Sequence, residues 1–482
     1  MNVTPFGIAI ALIGTYLLFR SSLLAMMAFV LFCSLLGGAE AFGLKFLGGA
    51  SIQPQSFALV FLVLRAIMDF PSLNQHLRQS LIQNWAFVFF CVYSAVTAFI
   101  LPKLFAGSMT VSPMRTITLE SLYDVFPVRF SSQNVTTAFY IMSTLLASII
   151  ATIAAATPRS TRVIIGSAIL VAWIHIGFGV LGILLAKIGR TELLDVFRDA
   201  SYAQLDQSYE GLVRIDGIFP ETSSYTAYAF VWFVFMSDLW LRDVAVRLTG
   251  LTAAALGAVL VFSTSGTAYF SLAAYALLLL ARWTIFPGTL KVRKSLIVVA
   301  MAAAMVTLGL GMMVFIPKLA ELLSDMVRHM TLDKMQSVSG EQRAFWALQG
   351  VNAFKVSHGL GIGSGSFRSS SILTAILGST GVIGVVSFAA HYLLVLKPWR
   401  KSTFVPAARP EMSIGAAASW TACLGLLPAF ISSPSPDPGI LFGLFGGLAL
   451  GWRASQAPSR ALVRSGSARR QPEPKRFGEA TA

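Results

Sequence analysis

Apolar runs of roughly 17–25 residues recur along the chain, each close to the ~20 residues an α-helix needs to cross a hydrocarbon core. Short connectors and three long polar stretches separate them. The pattern predicts spans at about 3–19, 21–39, 54–70, 84–101, 134–156, 162–186, 222–241, 247–263, 266–282, 295–316, 372–396, 413–431 and 439–452. The expected fold is all-α: a polytopic transmembrane helix bundle of 12–13 spans, the smaller number applying if the first hairpin does not cross. Residues 1–452 make the bundle, and 453–482 form a basic cytoplasmic tail whose Ser, Arg and Pro content predicts disorder.

Basic residues give the sidedness. The short connectors carry Arg20, Arg162, Arg242, Lys291, Lys397 and Arg400 among others, and the positive-inside rule places such connectors in the cytoplasm. The polar loops at about 102–133, 187–221 and 317–370 then share the opposite face, with the N-terminus outside. Loops longer than about 15 residues are commonly functional in a compact protein, so the active face is expected to be extracytoplasmic. In the third loop Leu319, Leu322, Leu323, Met326 and Met330 recur at helical spacing, which predicts an amphipathic helix on the membrane. Phe345, Trp346 and Phe354 predict a second short helix docked at the interface.

Composition sharpens this picture. Of 482 residues 56% are hydrophobic and 12% charged, against roughly a quarter charged in soluble domains. The net charge of +15 sits in connectors and tail, so it orients the protein and touches anionic membrane lipid; no nucleic-acid partner is expected. Cys33, Cys91 and Cys423 lie inside apolar runs without metal-ligand or disulfide spacing. No acidic cluster suggests a divalent ion, so no metal and no cofactor is expected. No basic segment precedes the first apolar run, so no cleaved signal peptide is expected.

Candidate chemistry concentrates between Ser339 and Arg368, a polar, aromatic, glycine-rich island. His358 opens the run HGLGIGSGSF, in which Gly361, Gly363 and Gly365 permit positive φ and an anion-binding nest of amides. The run follows no strand and lacks the Lys-Ser/Thr ending of a P-loop, which excludes nucleotide binding on that ground. Its plainer reading is a flexible turn before the next span. A second candidate is Arg214-Ile-Asp-Gly-Ile-Phe-Pro-Glu221, where an Arg suits phosphate through its planar fork and a Glu suits a sugar hydroxyl. A salt-bridged loop explains the same residues. Phe262-Ser-Thr-Ser-Gly-Thr267 reads as a tight turn between helices. Arg65 and Asp69, four apart on one face, are expected to pair. His175 and His391 are isolated in apolar runs, and so few intramembrane ionisable groups argue against an ion-coupled transporter.

Ser339, Arg343 and Trp346, followed by Gly361, Gly363, Gly365 and Phe367, resemble motifs of the O-antigen ligase/polymerase superfamily of bacterial surface polysaccharide assembly. Arg214…Gly217…Phe219-Pro220-Glu221 and the Ser263-Thr-Ser265-Gly266 turn resemble that family as well. The likeness covers most of the chain in topology and about 50 residues in motif. Three features depart from it: Trp346 stands one position early for the family's Ser-x-x-x-Arg-x-x-x-Trp spacing, no paired Arg-x10-Gly motif is present, and Arg368-Ser-Ser-Ser371 stands where a His-Asn pair is frequent. The resemblance implies a GT-C-like fold and a glycosyltransferase of the bacterial inner membrane with a periplasmic active face. It would polymerise undecaprenyl-diphosphate-linked oligosaccharide repeat units into exopolysaccharide or O-antigen, independently of metal. It also admits a chain-length regulator and export proteins as partners. Arg214, Arg343 and Arg368 would bind the substrate diphosphate, and His358 or Glu221 would act as general base. The alternatives are a ligase passing glycan to a lipid or protein acceptor, and a transporter of lipid-linked sugar.

Overall fold

The computed structural model describes residues 2–44, 50–114, 124–198, 208–209, 212–289, 293–294, 296–297, 338–407 and 409–454. The span expected at 295–316 (apart from 296–297), the amphipathic helix at 319–330 and the tail beyond 454 lie outside the described residues. The rest is mostly helical. Ten α-helices come first among the described residues: α1 (Pro5–Arg20), α2 (Leu23–Cys33), α3 (Pro54–Met68), α4 (Phe70–Gln83), α5 (Trp85–Leu104), α6 (Ser132–Ala155), α7 (Ser160–Lys187), α8 (Thr222–Leu241), α9 (Val246–Phe262) and α10 (Gly266–Ile285). After the undescribed stretch come α11 (Val338–Val356), α12 (Ile372–Leu396), α13 (Lys401–Phe404), α14 (Pro410–Leu424), α15 (Ala429–Ser432) and α16 (Ile440–Ala454).

Among the described residues, six helical stretches are long and apolar enough to cross a membrane: α5, α6, α7, α10, α12 and Pro410–Ser432. They mark a multi-pass membrane protein. Large apolar side chains such as Leu12, Phe19, Phe262 and Leu277 stand exposed around the outside, as a surface facing hydrocarbon requires. Five further apolar helices are shorter. One of them, α2, has 11 residues, which at 1.5 Å per residue is about 17 Å against a core of about 30 Å. The apolar run at 21–39 therefore outlasts its helix. Gly37 and Gly38 turn the chain tightly against Phe219 and the Ile218 carbonyl, where any side chain would collide.

Departures from pure helix are small. Strands of two or three residues pair within the loops, with Asn2 opposite Gly43, Phe42 opposite Ile52 and Thr110 opposite Pro127. The expected Arg65–Asp69 pair forms at 2.9 Å. In the centre runs α8, with Tyr225, Phe230, Trp232 and Phe235 buried on successive faces. Beside it α16 packs on α6 through Gly443, Gly447 and Gly451. A Cβ at Gly447 would lie 2.1 Å from the Ser148 carbonyl oxygen, and small residues of this kind let two membrane helices touch backbone to backbone.

Ions close the end of the bundle where α8, α10, α12 and α16 terminate. Asp238 accepts from Arg242 at 2.6 Å and from Arg282 at 2.5 Å, and its side chain is wholly buried. Arg242 also donates to the carbonyls of Ser402, Thr403 and Val405, at 3.2, 2.5 and 3.4 Å. Arg282 donates to that of Phe404 at 2.7 Å, and Arg453 to those of Val395 and Leu396 at 3.2 Å each. Three guanidiniums thus pin the short turn that links α12 to α14.

Candidate functional site

At the opposite end of α8 the residues of the second sequence candidate form a tight turn. Gly217 adopts φ +55°, and the Phe219 amide donates to the Asp216 carbonyl at 2.9 Å. Phe219 and Tyr225 close around His175, whose ring stacks on Tyr225 at 4.0 Å between centroids. This aromatic packing fixes where Glu221 ends up, as the extended N-cap of α8 with φ −159°. Its Oε1 accepts from the Ser223 hydroxyl, and from that of Ser224 at 3.4 Å.

Arg214 leaves the same turn and donates to the Thr264 carbonyl at 3.4 Å. Thr264 sits between α9 and α10 at φ +52°, so the expected tight turn contributes a carbonyl to Arg214. The Ser265 hydroxyl ties to Thr226 of α8 at 3.2 Å. Asp216 is already occupied: Arg198 meets it at 2.8 Å and also donates to the Gly217 carbonyl. Burial raises the Asp216 carboxyl above its usual range, and Arg198 pulls it back.

Arg343 and Trp346 lie three apart on α11, on one face. The Ser370 hydroxyl donates to the Arg343 carbonyl at 2.5 Å, and the Arg368 guanidinium lies 4.2 Å from the centre of the Trp346 ring. Ser112 anchors this corner. Its carbonyl accepts from the Arg368 amide at 2.9 Å, and its amide donates to Gln349 at 2.9 Å. Trp346 is therefore buried under Arg368, and α11 has 19 residues where a short helix was expected.

The three arginines share one field. Burial chiefly lowers the Arg214 guanidinium below its ordinary value; Glu221 opposes this, Arg343 adds to it, and Asp216 and Tyr269 oppose it in turn. Arg368 is lowered in the same way, by burial first, with Glu221 opposing and Arg343 adding. Three segments thus bring Arg214 and Arg368 within Coulombic reach of both the Glu221 carboxylate and the Arg343 guanidinium. Among the described residues that carboxylate makes no ion pair with any of them. Nε of Arg214, Nε of Arg368, Nε1 of Trp346 and the Thr222 hydroxyl are all buried without a hydrogen-bond partner.

No family model, no curated protein and no solved structure matches this chain. The chemistry open to the cluster comes from its own atoms. Three guanidiniums against one carboxylate leave two positive charges, and the unpartnered groups are all able to donate. Unmet buried donors are costly, and an anion with several oxygens would satisfy both needs at once.

His358 is not brought to this cluster. Arg343 lies in the second turn of α11 and His358 just past its C-terminal end, about 22 Å apart at the helical rise. The amides of His358 and Gly359 donate to the carbonyls of Lys355 and Phe354 at 3.1 and 2.8 Å, while His358 adopts φ +52° and is exposed. This is a Schellman cap with histidine in the left-handed position. The glycine run is no open nest either. The amide of Gly361 donates to the Ser357 hydroxyl at 2.7 Å, and those of Ile362 and Gly363 donate to the Gly378 and Ser379 carbonyls at 2.9 Å each. Those carbonyls are free because α12 breaks at Gly381, with φ +61° and ψ −157°. The run is a buried splice into a broken helix, and Asn134 of α6 donates to the Ser364 carbonyl at 2.8 Å to hold it. Its anion-binding role is withdrawn for Gly361 and Gly363, whose amides are spent; Gly365 packs too closely on the Gln133 carbonyl for any side chain.

Proposed function

We propose that this protein is a membrane glycosyltransferase of GT-C-like fold. It would polymerise polyprenyl-diphosphate-linked oligosaccharide repeat units into exopolysaccharide or O-antigen at the periplasmic face of the bacterial inner membrane. The observation that carries this reading is the gathering of Arg214, Arg343 and Arg368, with Nε of Arg214 and of Arg368 unpartnered, at one end of an apolar bundle. A lipid-linked diphosphate places its tail among apolar helices and its two negative charges at such an end. Fixed guanidiniums stabilise the charge that builds on the departing diphosphate, which is the main electrostatic demand of glycosyl transfer. Arg suits this because its fork matches phosphate oxygens bidentately.

Reconstitution tests the reading. Purified protein in a bilayer, given lipid-linked repeat units, should produce longer chains on the same lipid. Arg214→Ala and Arg343→Ala should stop chain growth at normal protein levels, and full-length polymer from both variants would refute the assignment. Transfer to a non-polyprenyl acceptor would mark a ligase, and transbilayer movement without growth a transporter.

A further inference from the structure

A carboxylate within reach of two of the three guanidiniums works against anion binding, so Glu221 needs an explanation of its own. As N-cap it is held by two first-turn hydroxyls rather than by any arginine. It is nevertheless the largest electrostatic influence on both Arg214 and Arg368 after burial itself. The charge count gives it a purpose, one that rests on the lipid-diphosphate function proposed for this site. A sugar ester of polyprenyl diphosphate carries two negative charges. Together with three guanidiniums and Glu221 it makes the site neutral.

Transfer changes that balance. The acceptor oxygen bonds to the anomeric carbon and gives its proton to water. The bond from that carbon to the diphosphate oxygen breaks, and its electron pair stays on the diphosphate. The lipid product is now a monoester, and the last proton of such a phosphate leaves near pH ~6, so it carries close to a third negative charge. With Glu221 the loaded site is then one negative charge in excess. Without Glu221 the product would be neutralised and retained.

We infer that Glu221 matches the site to the two charges of the donor and disfavours the three of the product, so that it governs release of the lipid diphosphate and not the bond-making step.

Binding and kinetics on the full chain in lipid nanodiscs separate the possibilities. The probe is polyprenyl diphosphate, with the monophosphate as control. Glu221→Gln should bind the diphosphate about tenfold more tightly, as removal of one nearby unit charge predicts. It should complete a first turnover at the wild-type rate and then slow in the steady state by a similar factor. Glu221→Asp keeps the charge and the cap, so it should stay near wild type and control for a folding defect at the start of α8. Unchanged diphosphate affinity in Glu221→Gln would overturn the inference, and so would loss of the first turnover, the mark of a general base. Arg343→Gln separates the two levels. If it loses diphosphate binding while Glu221→Gln is unaltered, only the release role falls. If Arg343→Gln binds as wild type does, the diphosphate site itself falls.

Discussion

Arginine does opposite things at the two ends of α8. Around Asp238 the guanidiniums of Arg242 and Arg282 reach one buried carboxylate and the carbonyls of the turn beneath it. Of the donor nitrogens there, Arg282 Nη2 alone is buried without a partner. Around Glu221, Arg343 is a like charge to both Arg214 and Arg368, the carboxylate makes no ion pair with them among the described residues, and Nε of Arg214 and of Arg368 is buried without a partner. The first arrangement satisfies itself and holds helices together. The second leaves buried donors unmet among the described residues. Satisfaction of donors, more than the presence of charge, separates a staple from a binding site.

The comparison can be broken most forcefully at Asp238. Asp238→Ala leaves two buried guanidiniums without their shared counterion, and breaking a buried pair from one side typically costs about 3–5 kcal/mol. Thermal unfolding in detergent should show a large loss of stability, whatever happens to activity. Arg343→Gln should do the reverse. A charged hydrogen bond is worth about 1.5–3 kcal/mol, so donor affinity should fall by roughly ten- to a hundredfold. The melting temperature should hold or rise, because a like charge beside Arg214 and Arg368 is gone. Equal thermal losses in the two variants would erase the distinction between the ends.

Much of the frame was legible in the chain. The span expected at 372–396 coincides with α12, and those at 134–156 and 162–186 fall within two residues of α6 and α7; α8 has the bounds expected at 222–241 but is not among the six stretches apolar enough to cross. Long apolar runs punctuated by Pro, Arg and polar residues leave few other choices. Arg214, Glu221, Arg343 and Arg368 stand out as candidates because charge is conspicuous in so apolar a sequence. What stayed hidden depends on partners distant in sequence. Arg198 and Asp216 share no helical spacing, so their pairing carries no local signal. The glycines of the third loop advertise positive φ, but the fate of their amides depends on the break in α12. Gly361 has φ +85°, and a Cβ there would lie 2.5 Å from the Ser379 carbonyl carbon. Gly361→Ala should therefore cost roughly 1–3 kcal/mol in strain, measurable as a lower unfolding midpoint in a variant whose arginines are untouched.

The smallest expected effect is at His358. A histidine tolerates the left-handed region better than most residues, yet glycine occupies it without a steric penalty. If the side chain only completes the cap of α11, His358→Gly keeps both cap hydrogen bonds and relieves the backbone. Stability should then hold or rise by up to about 1 kcal/mol, and chain growth should stay within twofold of wild type. His358→Ala must still adopt the left-handed region without a polar side chain, so it should be slightly less stable than His358→Gly and equally active. A fall in activity of a hundredfold or more in both variants, with stability unchanged, would return the proton-transfer role to His358. It would also mean that the far end of α11 approaches the arginines at some point in the catalytic cycle.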